Sequence, residues 1–382
     1  MTAIEPAPFS ETGPSRENSR DGSKLDIVVV GAGLGGLLAA IGLALDDHRV
    51  TVLEQAASFG EVGAGMRIPP NCFKILRRWG VDTTYLKKTH SNGNRFLRYD
   101  SGALLADMPH GVAELDFGGS YLMVHRADYH SVLLQRALAL GVCIKGGCFV
   151  ERYDWNAPAA IVQSSDKVTG DLLVITDGVQ SSARAEFQGH PLPPTDTEAH
   201  VIGYPVRGGE VYNVVFCCSE KSMQDSPFQP GETKLVISDN SELRRRFSGW
   251  DPRVEKLIEN SGKRLCDLDL VDNWVHPSSK AVLLGDAVHP MLPYMSSGAA
   301  MACEDAAVLR KVLSGKSISK LSEALSTYQN LRQPRASKVQ KAGRTLQDAY
   351  HLPDGEAQQE RDVWITKDDE RNWDRCRDGT RS

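Results

Sequence analysis

The chain has 382 residues, enough to bury a full core in two domains or one large one. Its 44 basic and 49 acidic residues leave a net charge of −5, spread without long blocks of one sign, which argues against a nucleic-acid or anionic-membrane surface. Eight scattered cysteines form no Cys-x-x-Cys pair, and no histidines cluster at metal-ligand spacing, so reduced thiols and no metal are expected.

Residues 1–24 are polar and rich in Pro, Ser and Glu, without the apolar core of a signal peptide, and read as a disordered tail. No apolar run reaches membrane-spanning length, so a cytoplasmic protein with no membrane span is expected. The first element is "LDIVVV", Leu25 to Val30, a β-branched run of the kind found in buried parallel strands. It meets glycines at 31, 33, 35 and 36, and "LLAAIGLALDD" then reads as a helix. Gly31, Gly33 and Gly36 fit the three points where such a unit tolerates no side chain: the tight turn, the close approach to an anion, and the packing of helix on strand. A helix opening this way presents unpaired N–H groups and the positive end of its dipole, which suits a pyrophosphate. The next strand, "RVTVLEQ", carries Glu54 eighteen residues beyond Gly36, where a carboxylate can accept from both ribose hydroxyls of an adenosine. The unit is therefore expected to bind a dinucleotide.

A helix is expected to begin near Pro70 and carry Phe73, Ile75, Leu76 and Trp79. Residues 90–124 contain the short alternating runs "RFLRYD", "GALLADM" and "SYLMV", typical of antiparallel sheet, and "ADYHSVLLQRALALG" follows as a helix. Two further apolar runs, "DLLVITDG" and "AVLLGDA", read as parallel strands that each end in a carboxylate, Asp177 and Asp286. In open α/β sheets ligands collect at the carboxyl ends of strands, so Glu54, Asp177 and Asp286 are expected to face one crevice. Between these strands, "HVIGYPV", "EVYNVVFCC" and "TKLVISD" suggest more antiparallel sheet. A proline-stiffened loop then leads into a helix starting near Ser297 or Gly298, and the rest is helical and increasingly polar.

Three separated motifs, "VVVGAGLGGLLAA" with Glu54, "ITDGVQSSAR" and "LLGDAVHPMLPYMSSGAAMACEDAAVL", together resemble the class A flavoprotein monooxygenases, the aromatic hydroxylases akin to salicylate hydroxylase and hydroxynicotinate monooxygenase. Shorter matches are "GAGMRIPPNCFKILRRWG", "VHRADYH", "HVIGYPVRGG" with Asn213, and "HLPDGEAQQERD". The resemblance implies an α/β fold: a Rossmann-type FAD-binding domain of the glutathione reductase and p-hydroxybenzoate hydroxylase kind, interrupted by a mainly antiparallel substrate domain, with a helical C-terminal part. The corresponding division gives residues 25–100, 125–184 and 275–345 to the FAD domain, 101–124 and 185–274 to the substrate sheet, and 346–382 to a polar extension. The resemblance places Gly31, Gly33 and Gly36 under the FAD pyrophosphate, Glu54 on the ribose and Arg126 near the cofactor. Asp177 and Asp286 match the family's two further carboxylates, and Pro293 would sit beside the isoalloxazine.

Reduced flavin gathers negative charge near N1 and the C2 carbonyl, which a helix N-terminus at Gly298 and Ala299 would stabilise by roughly 0.3–1 kcal/mol. The expected reaction uses NADH or NADPH and O2 to hydroxylate a small phenolic or aromatic acid through a flavin C4a-hydroperoxide. An electrophilic oxygen favours an electron-rich ring, so a base near the substrate hydroxyl is wanted. His200 suits that task, with Tyr204 four residues on along the same strand face, and Tyr294 and Arg207 as further substrate candidates. His289, beside Pro290, reads as structural.

The chain departs from the family at Ile175 and Thr176, where glycine and alanine are usual, and at Ser297, where glutamine is common. Only fifteen residues separate Arg184 from His200, where the family carries a longer segment, so part of the substrate sheet is expected to be missing. A non-oxygenating oxidoreductase of the same fold, or a flavin-binding protein with poor coupling, are the rival expectations. The oligomeric state is left open.

Overall fold

The computed structural model describes residues 24–59, 64–109, 117–190, 194–195, 200–217, 234–235, 241–258, 262–263 and 267–365. The expected N-terminal tail and the last residues of the C-terminal extension, 366–382, lie outside them, as does most of "TKLVISD".

In chain order, β1 (Asp26–Val30), α1 (Leu34–Ala44) and β2 (Arg49–Leu53) form the glycine-rich unit. Strand β3 (Gly65–Ile68), helix α2 (Pro70–Arg78), and strands β4 (Thr89–His90), β5 (Gly93–Leu97), β6 (Leu104–Pro109) and β7 (Leu122–His125) follow. Helix α3 (Arg126–Ala139) leads to β8 (Cys143–Lys145), β9 (Val150–Asp154), β10 (Ala159–Val162), β11 (Lys167–Thr169) and β12 (Leu172–Ile175). Beyond α4 (Ser182–Gln188) come the strands β13 (His200–Val206) and β14 (Val211–Cys217), then the short helices α5 (Ser241–Arg246) and α6 (Pro252–Lys256). Strand β15 (Ala281–Leu283), α7 (Gly298–Leu313) and α8 (Leu321–Tyr350) follow, and residues 356–365 are again helical.

The central sheet has the order β15-β12-β1-β2-β8 and is parallel throughout. Its strands are buried on both faces, which is why they read as continuous apolar runs rather than alternating ones. Helix α1 is almost wholly buried, and its small residues let α7 approach: a Cβ on Gly35 would touch Leu284 and Ala302 at 3.4 and 3.6 Å. Parallel order brings the carboxyl ends of β1, β2, β12 and β15 to one edge, and with them Gly31, Glu54, Asp177 and Asp286.

The second layer is antiparallel. Strand β7 lies between β3 and β4, β5 pairs with β6, and β13 pairs with β14. Strands β5 and β6 are one hairpin with Arg95 opposite Asp107, spanning the expected boundary at residue 100. Strand β7, held by β3 and β4, continues directly into α3 across the expected boundary at 124. A three-stranded meander, β9-β10-β11, was missed by the sequence reading. Its signal was present in the Asp154 turn, where Asp154 Oδ1 accepts from the N–H groups of Asn156 and Ala157.

A buried ionic chain fixes the turn after β15. Asp305 on α7 accepts from Gly285 N–H at 3.1 Å and from Arg332 Nε at 2.7 Å, and lies 2.5 Å from His289 Nε2. Burial favours a neutral ring for His289, but Asp305 overrides it and holds the imidazole above its ordinary range. Arg332 also pairs with Glu304, which takes Arg335 and Asn71 as further partners. His289 thus serves packing, and the network ties α7 and α8 to the backbone that presents Asp286.

Candidate active site

The three fingerprint glycines are held by different constraints. Gly31 has φ +100°, and a Cβ there would stand 2.6 Å from Thr176 O. A Cβ on Gly36 would lie 1.9 Å from Gly31 O, inside the turn itself. Around Gly33, by contrast, a Cβ meets nothing within 4 Å. No protein atom explains the missing side chain at Gly33, and its position at the N-cap of α1 fits the approach of an anion to the helix.

Glu54 is half-buried and accepts from Ala32 N–H and Ala56 N–H, both at 2.9 Å. Two hydrogen bonds leave a carboxylate with lone pairs for the two hydroxyls of a ribose. Arg126 opens α3, its N–H donating to Ala64 O at 2.9 Å, and it lies close enough to His130 to disfavour a charged ring there. His130 Nε2 meets Ala32 O at 2.7 Å and Phe59 packs on its ring at 4.8 Å.

Across the crevice, Thr176 Oγ1 donates to Val30 O at 2.7 Å and to Gly31 O at 2.9 Å. The departure from glycine and alanine before Asp177 therefore locks β12 to the glycine turn. Burial pushes Asp177 up to about 6, and its Oδ1 is buried without a hydrogen-bond partner among the described residues. Arg184, which sequence reasoning passed over, is buried behind it and donates to Ala287 O at 3.0 Å and Val179 O at 2.5 Å. Asp286 is exposed, with Oδ1 3.9 Å from where a Cβ on Gly298 would stand. Helix α7 starts at Gly298, and its N-cap Ser297 makes no side-chain cap; the hydroxyl donates instead to Met295 O. The first N–H groups of α7, at Gly298 and Ala299, thus have no side-chain cap.

Asp177 gives a pH-dependent prediction. A carboxyl raised from 3.8 to about 6 costs folded-state stability once ionised, and that penalty builds between the two values and is complete above the higher one. Asp177→Asn is expected to raise the melting temperature of flavin-free protein by a few degrees near pH 8, with the gain roughly halved at about pH 5. Thermal unfolding at both pH values checks this, and a gain that grows on acidification would contradict it.

The substrate candidates are only partly brought together. His200 and Tyr294 meet, with ring centres 4.9 Å apart and Tyr294 Oη 3.5 Å from His200 Nδ1. Tyr294 belongs to the short turn Pro293–Met295 that precedes α7, so Pro293 stands at the same mouth. His351, one residue past α8, packs 5.2 Å from His200 and 5.6 Å from Tyr294, and Tyr350 stands 6.1 Å from Tyr294. His351 Nδ1 lies 2.6 Å from Gln347 O, and a carbonyl only accepts, so Nδ1 carries the proton. The residues after 345 are therefore more than a polar extension. Tyr204 lies farther along β13 against Arg67 and Asn213, and burial pushes its hydroxyl up to about 12.

Arg207 is engaged by α3 and its neighbour strand. Its Nε and Nη2 grip Asp128 at 3.0 and 2.9 Å, and Nη2 also meets His125 Nδ1 at 3.3 Å. This guanidinium ties the β13–β14 hairpin to the first turn of α3.

The FAD binding domain family matches residues 24–216. The chain is 32% identical to the FAD-dependent monooxygenase OpS4 of Beauveria bassiana (strain ARSEF 2860), covering 91% of this chain and 90% of that protein. It is 34% identical to 6-hydroxynicotinate 3-monooxygenase of Pseudomonas fluorescens, covering 82% and 89%. The fold superposes on a salicylate hydroxylase substrate complex with a TM-score of 0.72 at 23% identity, over 92% of this chain and 95% of the other. No helix among the described residues is long and apolar enough to cross a membrane. Fold, glycine fingerprint and relatives agree, and the chain belongs to the FAD-dependent monooxygenases.

Proposed function

We propose that the protein hydroxylates the ring of a phenolic or aromatic-acid substrate, using NADH or NADPH and O2. FAD, when bound, supplies the oxygen-activating chemistry; the protein supplies position, charge and exclusion of water. Gly31, Gly33 and Gly36 with the start of α1 would hold the pyrophosphate, and Glu54 the ribose. Arg126, Asp177 and Asp286 would flank the cofactor, and Pro293, Gly298 and Ala299 would meet the flavin ring. The antiparallel layer would cover the substrate.

The observation that carries the reading is the imidazole–phenol pair of His200 and Tyr294, 3.5 Å apart, on the loop that delivers the uncapped start of α7. His200 shares the proton of the substrate hydroxyl and so enriches the ring. Tyr294 and His351 hold the imidazole and keep water from it. Incubation with NADH or NADPH, O2 and a panel of phenols and hydroxybenzoates tests this, with a hydroxylated product expected; consumption of the nicotinamide without any substrate dependence would count against it.

Coupling is expected to be poor. The alignment to OpS4 runs over 392 positions, more than the 382 residues of this chain, so the relative carries segments that this chain lacks. In this reading the shortened stretch between Arg184 and His200 leaves the pocket less protected from water. Most of the NAD(P)H consumed should therefore appear as hydrogen peroxide, and a longer insert at that point should raise the product yield. Measured stoichiometry decides it: reducing equivalents recovered almost entirely in product would mean that other residues close the pocket.

A further inference from the structure

The stretch "HLPDG", His351 to Gly355, carries the chain off the end of α8 as a short strap that is tied down on both sides. His351 is aimed by the helix it leaves: its backbone N–H donates to Gln347 O at 3.2 Å, and its ring Nδ1 to the same oxygen at 2.6 Å. Ring and backbone therefore move together. Beyond the strap, the helical residues 356–365 fold back, and Arg361 Nη1 donates to Ala349 O at 2.5 Å.

The other tie comes from the β5–β6 hairpin. Phe96 packs on Tyr350 with ring centres 5.4 Å apart. Arg98 Nη2 donates to Asp354 Oδ1, Tyr99 Oη donates to Asp354 Oδ2 at 2.9 Å, and the guanidinium carbon lies 4.9 Å from the centre of the Tyr99 ring. Each carboxylate oxygen thus has its own donor. These bonds, that of Arg98 above all, hold the Asp354 carboxyl below its ordinary range. The hairpin is itself anchored, since Asp251 N–H donates to Tyr99 O at 2.8 Å and Trp250 packs on the Tyr99 ring at 5.2 Å. Only Leu352 and Pro353 lie between His351 and Asp354. Proline fixes its own φ and restricts the residue before it, so this link has little freedom and passes the position of Asp354 on to His351.

An exposed ion pair of this kind adds little to the stability of the whole fold. Its effect is local: it selects one course for a strap whose first residue packs 5.2 Å from His200 and 5.6 Å from Tyr294. We propose that Asp354 is a positioning residue for the hydroxylation: gripped by Arg98 and Tyr99, it sets the course of the strap and so holds the His351 ring against His200. The assignment rests on the reading of His200 as the group that shares the substrate proton, and adds to it a control point on the protein surface.

The test uses the FAD-loaded protein and whichever phenol it hydroxylates best. Asp354→Ala should lower kcat about tenfold, part of what a positioned acid–base group contributes, while KM, FAD content and melting temperature change little. Asp354→Glu keeps the carboxylate and should regain part of the rate. Arg98→Gln should reproduce the loss, and adding Asp354→Ala to it should cost little more, because the two residues make one interaction. Salt screens exposed pairs, so kcat of the unmodified protein should fall as salt rises and that of Asp354→Ala should not. Independently of turnover, the imidazole NMR signals of His200 and His351, assigned by substitution, should both move in Asp354→Ala. An unchanged kcat overturns the assignment, and so does a loss that tracks falling FAD content and melting temperature, which would mark Asp354 as a residue of the fold. If the unmodified protein hydroxylates no phenol, the reading of His200 falls, and the placing of His351 by Asp354 is then decided by the imidazole signals alone: unmoved signals refute it.

Discussion

Gly33→Val is expected to leave the protein folded and to strip it of FAD. The backbone at Gly33 has φ −69° and ψ −176°, which any residue adopts, and a Cβ there would meet no protein atom within 4 Å. What the side chain would meet is the incoming pyrophosphate, because the anion must come within hydrogen-bond distance of the N–H groups that α1 leaves unpaired. A branched side chain in that space should weaken FAD binding by about a hundredfold or more, equivalent to about 2.7 kcal/mol. Gly36→Val is the contrasting variant. Its Cβ would fall 1.9 Å from Gly31 O, a clash with backbone that no rotamer relieves, so the first βαβ unit itself should fail. Thermal unfolding and FAD titration separate the two outcomes. Normal flavin affinity in Gly33→Val would mean that the anion is held elsewhere.

His200→Ala should slow hydroxylation by about 10²- to 10⁴-fold, the usual contribution of a positioned acid–base group, while FAD binding changes little. The separation is expected because His200 touches Tyr294 and His351 on the substrate side, whereas the glycine turn, Glu54 and Asp177 lie at the ends of the parallel strands. The variant should regain part of its rate as pH rises through the phenol's own ionisation, since the substrate then arrives already deprotonated. Tyr294→Phe should cost less, as it removes a hydrogen bond to the imidazole and leaves the ring packing. Product formation per flavin, measured across pH, checks both. Equal losses of flavin and activity in His200→Ala would identify His200 as a packing residue.

The sequence by itself determined what short-range sterics and pattern dictate. Gly31 and Gly36 are legible because a turn of this kind leaves no room for Cβ, and the two constraints lie within six residues of each other. The parallel strands are legible because burial on both faces demands unbroken apolar runs, and the start of α7 because a proline-stiffened loop precedes small residues. Carboxylates at the strand ends follow from the same logic, since parallel order carries those ends to one edge.

Only the tertiary structure decided which side chains meet. Arg207 meets Asp128 on α3 from 79 positions away, a pairing no local pattern announces. His351 entered the site because α8 runs through Pro334 and ends beside β13, and a polar tail in sequence gives no sign of where a 30-residue helix will stop in space. Gly65 and Asn213 meet across 148 residues because a glycine lets two strands from different sheets close to contact distance. The physical reason is range: a turn or a strand is selected by neighbours a few residues away, but a charge is satisfied or left wanting by whatever the fold places within a few ångströms of it. That is why the glycine turn and the parallel strands could be read from the chain, and the partners of Arg207, His200 and Asn213 could not.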